Sequence, residues 1–525
     1  MTEQIFKWQE FEMVDASIIQ PKKNKWIASA SEINGRTWMG LFGVFLAVMA
    51  SGVGENASKF ALGDIQGAMA LNIDTGSWLI TCYVTGFVIG SGFTPCFWPT
   101  FSLRRVALVM CSIYLIGGLI TPWLGDHYAL LLTIRSLQGF AGGALPPMLM
   151  TVVLRFMPPL IKVLGLGAYG WVSAWSATFG ATAAAFAFHW GWSGYFYWNL
   201  PLMAIATICI GFGLPQDPLR LERLKQFNWR GLLLGGSALA MLTVGISQGE
   251  RLDWLNSSLI YVLLIGGFGL LALFLINEWY HPLPFFNLQL LGKRNLSFSL
   301  ITLGGVLLIM VSLVNITSGY LSAIQGYRLE QTSDMMLWVS LPQLITLPII
   351  AIICNTPKVD CRWVLAISLL LMAAACVLAS QLTPDWNGDN FRMISLLQAV
   401  AQPMAVIPLL MMATGGLLPT DGPFAAAWFN AVKGFAATAA GGAIALLTRQ
   451  RGDFHSGVIA DSYGSTYRDT ATNSIGELTK LSSSQGHVLA SSDLYLLVSG
   501  LALLLTGLIL VMPTRIYPPR SVAAA

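Results

Sequence analysis

The chain of 525 residues is too apolar for a water-soluble protein, since 55% of its residues are hydrophobic, 10% are charged and the mean hydropathy is +0.66. A soluble fold cannot hide that much apolar surface, so the predicted solvent is lipid. The net charge of +4 gives no reason to expect a nucleic-acid partner.

Apolar stretches long enough to cross a bilayer core, about 20 residues each, recur between polar turns. They predict an all-α polytopic membrane protein of fourteen helices, grouped as six, two and six. The first six are expected at Trp38–Phe60, Trp78–Trp98, Val106–Leu124, Tyr128–Val152, Gly165–Phe188 and Trp198–Phe212. The other eight are expected at Leu232–Ile246, Leu259–Leu275, Phe298–Ala323, Met336–Cys354, Trp363–Leu382, Met393–Leu417, Phe424–Leu447 and Asp493–Met512.

Polar segments between these helices predict a division into domains. We expect a tail at 1–36, a six-helix bundle at 37–214, and a linker with two accessory helices at 215–280. A second bundle at 281–515 would include a long loop at 448–492, and a tail at 516–525 would follow.

Basic residues concentrate in one set of turns, and this predicts the orientation. An even number of helices places both termini on one side, and the side rich in lysine and arginine is cytoplasmic. We therefore expect a multi-pass protein of the inner (cytoplasmic) membrane, with both termini inside and loop 448–492 outside. The basic positions are Lys22, Lys23, Lys25, Arg104, Arg105, Arg155, Lys162, Arg220, Arg223, Lys225, Arg230, Lys293, Arg294, Lys358 and Arg362.

The sequence carries no sign of catalysis. It has no GxxxxGK[ST] phosphate loop, and its five histidines are scattered. Its seven cysteines have neither metal-site nor disulfide spacing. No cleavable signal is expected ahead of the first helix. We expect no enzyme activity, no cofactor and no metal. If the chain is a transporter, the lack of a phosphate loop means that an ion gradient or the substrate's own gradient would drive it.

Several segments resemble one transporter family. "LLLTIRSLQGFAGGALPP", Leu130–Pro147, resembles the fourth-helix motif of the major facilitator superfamily. Four further segments agree with the family in their order along the chain: "FALGDIQ" after the first helix, "WSGYFYWNLP" entering the sixth, "GYLSAIQGY" after the ninth and "FNAVKGFAATAAGGAIA" in the thirteenth. The six-two-six count is similar to the fourteen-helix, EmrB-like drug:proton antiporter branch. This resemblance implies the major facilitator fold, with two six-helix bundles around a central cavity and two extra helices outside them.

Three segments depart from the antiporter pattern. The turn "CFWPTFSLRRV" keeps Arg104 and Arg105 but lacks the family's acidic residue. The fifth helix, "WSATFGATAAAFAF", lacks the proline that is taken to mark export. In the thirteenth helix, the family's arginine is replaced by Lys433.

Three charges inside predicted helices are candidates for proton coupling, because ionisable residues within the membrane are functional by default. Glu55 and Arg135 are expected at similar depths in the outer half of the membrane, so we predict that they approach each other. Lys59, one turn beyond Glu55, is the alternative partner. Arg135 has a structural alternative as a carbonyl cap or a snorkelling cation. Lys433 could serve either as a structural contact or in substrate or proton coupling.

Other polar and small residues complete the predicted site. We assign Gln138, Trp171, Trp175, Asn315, Gln402 and Asn430 to a substrate cavity. The two tryptophans have a second interpretation as packing or lipid-facing residues. Arg104, Arg105, Gly142, Gly143 and Pro146 are assigned to conformational gating.

The sequence leaves three functions open. The first is proton-coupled export of small amphipathic organic compounds, with protons, substrate and the lipid bilayer as partners. A periplasmic adaptor is a further expected partner if the cell is Gram-negative. The second is import or facilitated passage of a dedicated metabolite such as a siderophore. The third is a non-transporting membrane sensor or scaffold.

Overall fold

The computed structural model describes residues 34–157, 162–356, 358–414, 421–466 and 475–511. Within these ranges the chain is helical, without a strand. The predicted tails 1–36 and 516–525, with Lys22, Lys23 and Lys25, lie outside the described residues except for positions 34–36. The long helices are α1 Gly35–Phe60, α2 Ile73–Phe93, α3 Leu103–Ile120, α4 Tyr128–Phe156, α5 Lys162–Phe188, α6 Leu200–Gly213, α7 Trp229–Gly249, α8 Ser258–Tyr280, α9 Arg294–Gln325, α10 Leu329–Asn355, α11 Cys361–Ala379, α12 Arg392–Thr414, α13 Gly422–Thr466 and α14 Ile475–Leu510.

The fourteen predicted helices are all found at their expected places. Among the described residues, thirteen helices are long and apolar enough to cross a membrane. The helix outside that set is α5, whose glycine, alanine, serine and aromatic residues give it a low hydropathy. It packs against α1, α10 and α12 and therefore shows less of its surface to lipid. A helix surrounded by protein does not need strongly apolar side chains.

The helices pack as two bundles with an accessory pair between them. In the first bundle α1 packs on α5 and α6, and α2 on α4. In the second, α9 packs on α13 and α14, and α12 on α10 and α11. The accessory helices α7 and α8 pack on each other, and α7 also contacts α2 and α13. The accessory pair is therefore attached to both bundles.

We name the two ends of the molecule by the course of α1. The first face contains the start of α1, and the second face contains its end at Phe60. Gly40 near the start of α1 lies against Gly213 at the end of α6, where an added Cβ would come within 2.7 Å of backbone. The starts of α5 and α13 share the first face, since the helices alternate in direction.

Helices α2 and α4 approach closely because glycines on both of them remove side chains from the contact. A Cβ at Gly139 would lie 2.0 Å from the carbonyl oxygen of Tyr83, and one at Gly143 would lie 2.1 Å from that of Phe87. Glycine on one helix lets the backbone of the other come near, as is common between membrane helices. Gly143 therefore packs inside the first bundle. Its role in gating stays a prediction.

A buried carboxylate anchors the accessory pair. Glu278 on α8 is 2% exposed and accepts hydrogen bonds from the backbone N–H groups of Phe285 and Phe286. It also accepts one from Asn228 Nδ2 at 2.6 Å, and Asn228 Oδ1 in turn accepts from Gly231 N at the start of α7. The rings of Phe285 and Phe286 pack against Phe93 at the end of α2. Glu278 thus connects both accessory helices to the first bundle.

Residues 448–492, expected to form a long loop, are helical over most of their length. Helix α13 continues to Thr466, and α14 begins at Ile475. Ser482 Oγ donates to the carbonyl oxygen of Ser456 at 2.6 Å, and Asp493 is contacted by Arg451 and His455. We call residues 448–466 and 475–492 the helical extension. Its polar composition suggested a loop, but contacts between the two helices stabilise the helical form.

We expect Gly139→Ala to lower the thermal stability of the purified protein. The new methyl group would overlap the Tyr83 carbonyl oxygen, and overpacking of this kind costs about 1–3 kcal/mol. Gly236→Ala on α7 is the matched control, since a Cβ there has no heavy atom within 4 Å and alanine favours helix. The measurement is the melting temperature in detergent. An unchanged melting temperature for Gly139→Ala would contradict the close α2–α4 contact.

Candidate functional site

A cavity of about 580 Å³ lies between the two bundles. Helices α1, α2 and α5 line it from one side, and α9, α12 and α13 from the other. Its wall is mainly apolar and includes Val84, Phe87, Leu307, Met310, Val314 and Val406. The volume falls within the range of about 300–1,000 Å³ that is typical of small-molecule sites. The cavity reaches Lys59 and Phe60 at the end of α1, close to the second face.

Three charged side chains line this cavity: Glu55, Lys59 and Lys433. Lys59 Nζ lies 2.6 Å from Glu55 Oε1, one turn away on α1. The Glu55 side chain is 13% exposed, so this ion pair is partly shielded from solvent. Glu55 and Arg135 form no ion pair in this structure, and their coupling stays a prediction. The nearer lysine on the same helix face takes the carboxylate instead.

Arg135 lies inside the first bundle, away from the cavity lining, and is 3% exposed. It donates to Gln138 Oε1 at 2.6 Å. Its guanidinium carbon lies 4.6 Å from the ring centre of Tyr83 and 5.4 Å from that of Phe196. Among the described residues, no carboxylate lies within ion-pair distance of it. Two aromatic faces and one amide stabilise the cation in place of a counter-ion.

Lys433 reaches across the boundary between the bundles. Its Nζ donates to Ser173 Oγ on α5 at 2.6 Å and lies 5.8 Å from the ring centre of Tyr169. It is eleven residues beyond the start of α13, so at about 1.5 Å per residue it lies near the middle of the membrane. Lys433 therefore places a cation in the cavity wall with a single neutral acceptor among the described residues.

Four of the six predicted cavity residues lie elsewhere. Asn315 and Gln402 line the cavity, and Gln402 Oε1 accepts from Gln343 Nε2 at 2.6 Å. Gln138 binds Arg135 instead, and Asn430 lies in a contact between the bundles. Trp171 and Trp175 form an aromatic stack along α5 that continues to Phe179. Trp175 Nε1 also donates to the carbonyl oxygen of Ser340 on α10, so the tryptophans are packing residues.

The bundles are in close contact between the cavity and the first face. Tyr169 Oη donates to Asn430 Oδ1 at 2.6 Å, and Ser91 Oγ contacts the Asn430 carbonyl oxygen at 3.4 Å. A Cβ at Gly92 would lie 3.6 Å from the Cβ of Ala431. We call these contacts the first-face seal. Because of this seal, the cavity is closed on the first-face side.

A second, more polar pocket of about 470 Å³ adjoins the cavity towards the helical extension. Asn315 and Gly441 line both spaces. Arg449 in its wall pairs with Glu250 at 2.7 Å. A small molecule leaving the cavity towards the second face would pass this pocket.

The linker supplies partners for two basic residues, Arg155 and Arg105, of which Arg105 was assigned to gating. Asp217 forms two bonds of 2.7 Å with Arg155. With the Gln216 amide in its hydrogen-bonding orientation, its oxygen accepts from Arg105 at 2.6 and 3.0 Å. Two consecutive linker residues thus contact Arg105 in the turn after α2 and Arg155 at the end of α4. Pro146 lines the cavity, and the gating roles of Arg104, Arg105, Gly142 and Pro146 stay predictions.

Sequence reasoning did not find Tyr169 and Ser173, two polar residues four apart on α5 that face Asn430 and Lys433. Their i,i+4 spacing among small residues was the available signal. No group of three or more His, Cys, Asp or Glu side chains suited to a metal ion occurs among the residues that the structure describes.

Comparison with known proteins agrees with this architecture. The sequence profile of the Major Facilitator Superfamily matches residues 44–330. The chain belongs to this superfamily. Its fold resembles that of the proton:xylose symporter XylE, with a TM-score of 0.58, 11% identity and coverage of 93% of this chain and 98% of that one. The human organic anion transporter MFSD10 (TETRAN) gives a TM-score of 0.56 at 14% identity, covering 89% and 99%.

Among sequence relatives, EmrY of Escherichia coli, a probable multidrug resistance protein, is 24% identical over 73% of this chain and 74% of its own length. The fatty acid resistance protein FarB of Neisseria gonorrhoeae is 23% identical over 88% of this chain and 94% of its own. The expected family and the all-α polytopic fold are therefore confirmed.

We expect Gly92→Cys and Ala431→Cys together to form a disulfide on mild oxidation, in a background lacking the seven native cysteines. The Cβ separation lies within the 3.5–4.5 Å, roughly, that a disulfide requires. Tyr169→Phe should slow this cross-linking, because it removes the hydrogen bond to Asn430. Gly92→Cys with Gly441→Cys is the control, since position 441 lies about 15 Å further along α13. Cross-linking is measured as a gel shift after the chain has been cleaved between the bundles. Equal cross-linking of the two cysteine pairs would contradict the seal.

Proposed function

We propose that this chain is a proton-coupled secondary transporter that exports small amphipathic organic compounds by alternating access. The observation that carries the proposal is the mainly apolar cavity between two bundles, with Glu55 in its wall and a seal on one side only. The names of the relatives EmrY and FarB, which refer to drug and fatty acid resistance, support export. The presence of such a cavity in a member of this superfamily favours transport over a role as a sensor or scaffold. The names of the relatives favour export over import.

The proposed orientation places the first face in the cytoplasm. Both termini and the linker would then lie inside, the helical extension outside, and the protein in the inner membrane with the cavity directed outward. We keep the domain division at 37–214, 215–280 and 281–515 as part of this proposal. The helical extension is the surface that we would expect a periplasmic adaptor to contact in a Gram-negative cell.

In the proposed mechanism Glu55 carries the proton. When ionised, its carboxylate is held by the Lys59 ammonium in a partly shielded site. Protonation removes the negative charge and with it the attraction to Lys59, which frees α1 to shift against its neighbours. Rocking of the bundles would then break the first-face seal and expose the cavity to the cytoplasm. Release of the proton there restores the ion pair.

Arg135 enters this mechanism as a positioning residue. It contacts Tyr83 on α2 and Gln138 on α4, so it stabilises the packing of the first bundle beneath Glu55. We propose that it holds this packing without forming an ion pair with Glu55.

We expect Glu55→Gln to uncouple transport from the proton gradient, because the amide cannot bind or release a proton at this site. In proteoliposomes supplied with a fluorescent amphiphile, the variant should lose accumulation of the amphiphile driven by a pH gradient. It should retain at most downhill movement of the amphiphile. Glu222→Gln in the exposed linker is the matched control and should transport as the unchanged protein does. Uphill, pH-dependent transport by Glu55→Gln would place the coupling carboxylate elsewhere.

We expect a cysteine at Ala460 to react with an impermeant maleimide in intact cells or spheroplasts, and a cysteine at Glu222 to react only after lysis. Both positions are exposed, the first on the helical extension and the second in the linker, so accessibility depends on the side of the membrane. The substitutions are made in the cysteine-free background. The reverse labelling pattern would invert the proposed orientation, and therefore the direction of transport.

A further inference from the structure

We propose that the central cavity selects amphipathic organic anions and that Lys433 binds their anionic group. This inference rests on the proposed function only in taking the cavity as the transport site. The preferred ligand has a carboxylate or sulfonate at one end and an apolar body. The charges, hydrogen bonds and apolar wall of the cavity each support this ligand class.

The charge balance of the cavity is the first argument. Its wall holds two lysines and one carboxylate, namely Lys59, Lys433 and Glu55. Lys59 and Glu55 are 2.6 Å apart and neutralise each other. The remaining charge is the Lys433 ammonium, so the wall carries a net positive charge. An anion entering a low-dielectric cavity is attracted to such a site, whereas a cation is repelled.

The hydrogen bonds of Lys433 are the second argument. A lysine ammonium has three N–H donors and no acceptor. Among the described residues, Ser173 Oγ is the one hydrogen-bond acceptor of Lys433 Nζ. Two donors are therefore left for a ligand, and the oxygens of a carboxylate or sulfonate accept two such bonds from one ammonium. These bonds to an ionised acceptor are stronger than bonds between neutral groups.

The wall around Lys433 is the third argument. Met310, Val314 and Val406 of the second bundle line the same cavity as Lys433, and so do Val84 and Phe87 of the first bundle. These side chains offer an apolar surface to the body of a ligand whose head is held by Lys433. A purely polar anion would gain nothing from this surface. A cationic amphiphile would have to displace Lys59 from Glu55 in order to find a counter-ion.

The test uses two bicyclic aromatic probes of similar size whose charges do not change with pH: naphthalenesulfonate, an anion, and N-methylquinolinium, a cation. Binding of each radiolabelled probe to the purified full-length protein is measured by scintillation proximity. We expect the unchanged protein to bind the anion at least about tenfold more tightly than the cation, the usual effect of one charge-assisted hydrogen bond. Equal binding of the two probes, or preference for the cation, would overturn the proposal.

Substitutions at Lys433 locate the anion. Lys433→Met removes the donors at similar volume and should raise the Kd of naphthalenesulfonate about tenfold or more, with no loss of N-methylquinolinium binding. Lys433→Arg keeps a cation with several donors and should stay within about threefold of the unchanged protein. Lys480→Met, on the exposed helical extension, is the matched control and should bind as the unchanged protein does. Unaltered anion binding by Lys433→Met would overturn the assignment.

Transport in proteoliposomes separates this inference from the proposed function. If a pH gradient drives uptake of N-methylquinolinium but not of naphthalenesulfonate, the protein is a proton-coupled transporter and the inference about anions is wrong. If the anion binds in a Lys433-dependent manner but neither probe is moved by a pH gradient, the anion site stands and proton-coupled export fails. Lys433→Met protein that melts at the temperature of Lys433→Arg excludes misfolding as the cause of lost binding.

Discussion

The bilayer offers no hydrogen-bonding solvent, and this constraint accounts for most of the structure. Backbone groups must be satisfied within each segment, so the described chain that crosses the membrane is helical. Polar side chains must likewise find partners inside the protein. Gln343 bonds to Gln402, Arg135 bonds to Gln138, and Glu278 collects backbone and amide donors. The Arg135–Gln138 bond lies within α4, but the Gln343–Gln402 bond joins α10 to α12 and Glu278 joins α8 to the start of α7. Satisfying buried polar groups therefore also helps to determine which helices pack together.

The contacts between the bundles differ from those within them, and this difference makes movement feasible. Inside the first bundle, α2 and α4 are held by backbone contacts at glycines, which rigidify the unit. Between the bundles, the first-face seal consists of the Tyr169–Asn430 hydrogen bond and small-residue contacts such as that of Gly92 with Ala431. A single neutral hydrogen bond contributes about 0.5–1.5 kcal/mol, so the polar part of the seal is weak. Helix α5 also packs on α10 and α12 across the boundary between the bundles, so alternating access would have to rearrange that surface as well.

Most of the fold was predictable because hydropathy and length identify thirteen of the fourteen long helices among the described residues. Residues 448–492 were wrongly assigned to a loop, since helix formation there depends on contacts such as Ser482 with Ser456 and Asp493 with His455, which no local pattern reveals. The site was less predictable for the same reason. Depth along a helix placed Glu55 and Arg135 at similar levels, but it could not show that Arg135 turns inward to Tyr83. Tertiary contacts decide the partner of a buried charge.

Lys433 is a cation in the cavity wall whose N–H donors are only partly used. A lysine near the middle of a membrane helix costs about 2.5–3.5 kcal/mol on insertion scales. Its bond to Ser173 Oγ satisfies one donor of three, and the Tyr169 ring at 5.8 Å adds a weak contact. If the residue served packing alone, a fully paired cation or an apolar side chain would be more stable. A flexible point charge with unused donors, facing an apolar cavity, is instead suited to a partner that comes and goes. The incomplete pairing of Lys433 is therefore an argument for ligand binding, and the paired state of Glu55 is an argument that the two charges have different tasks.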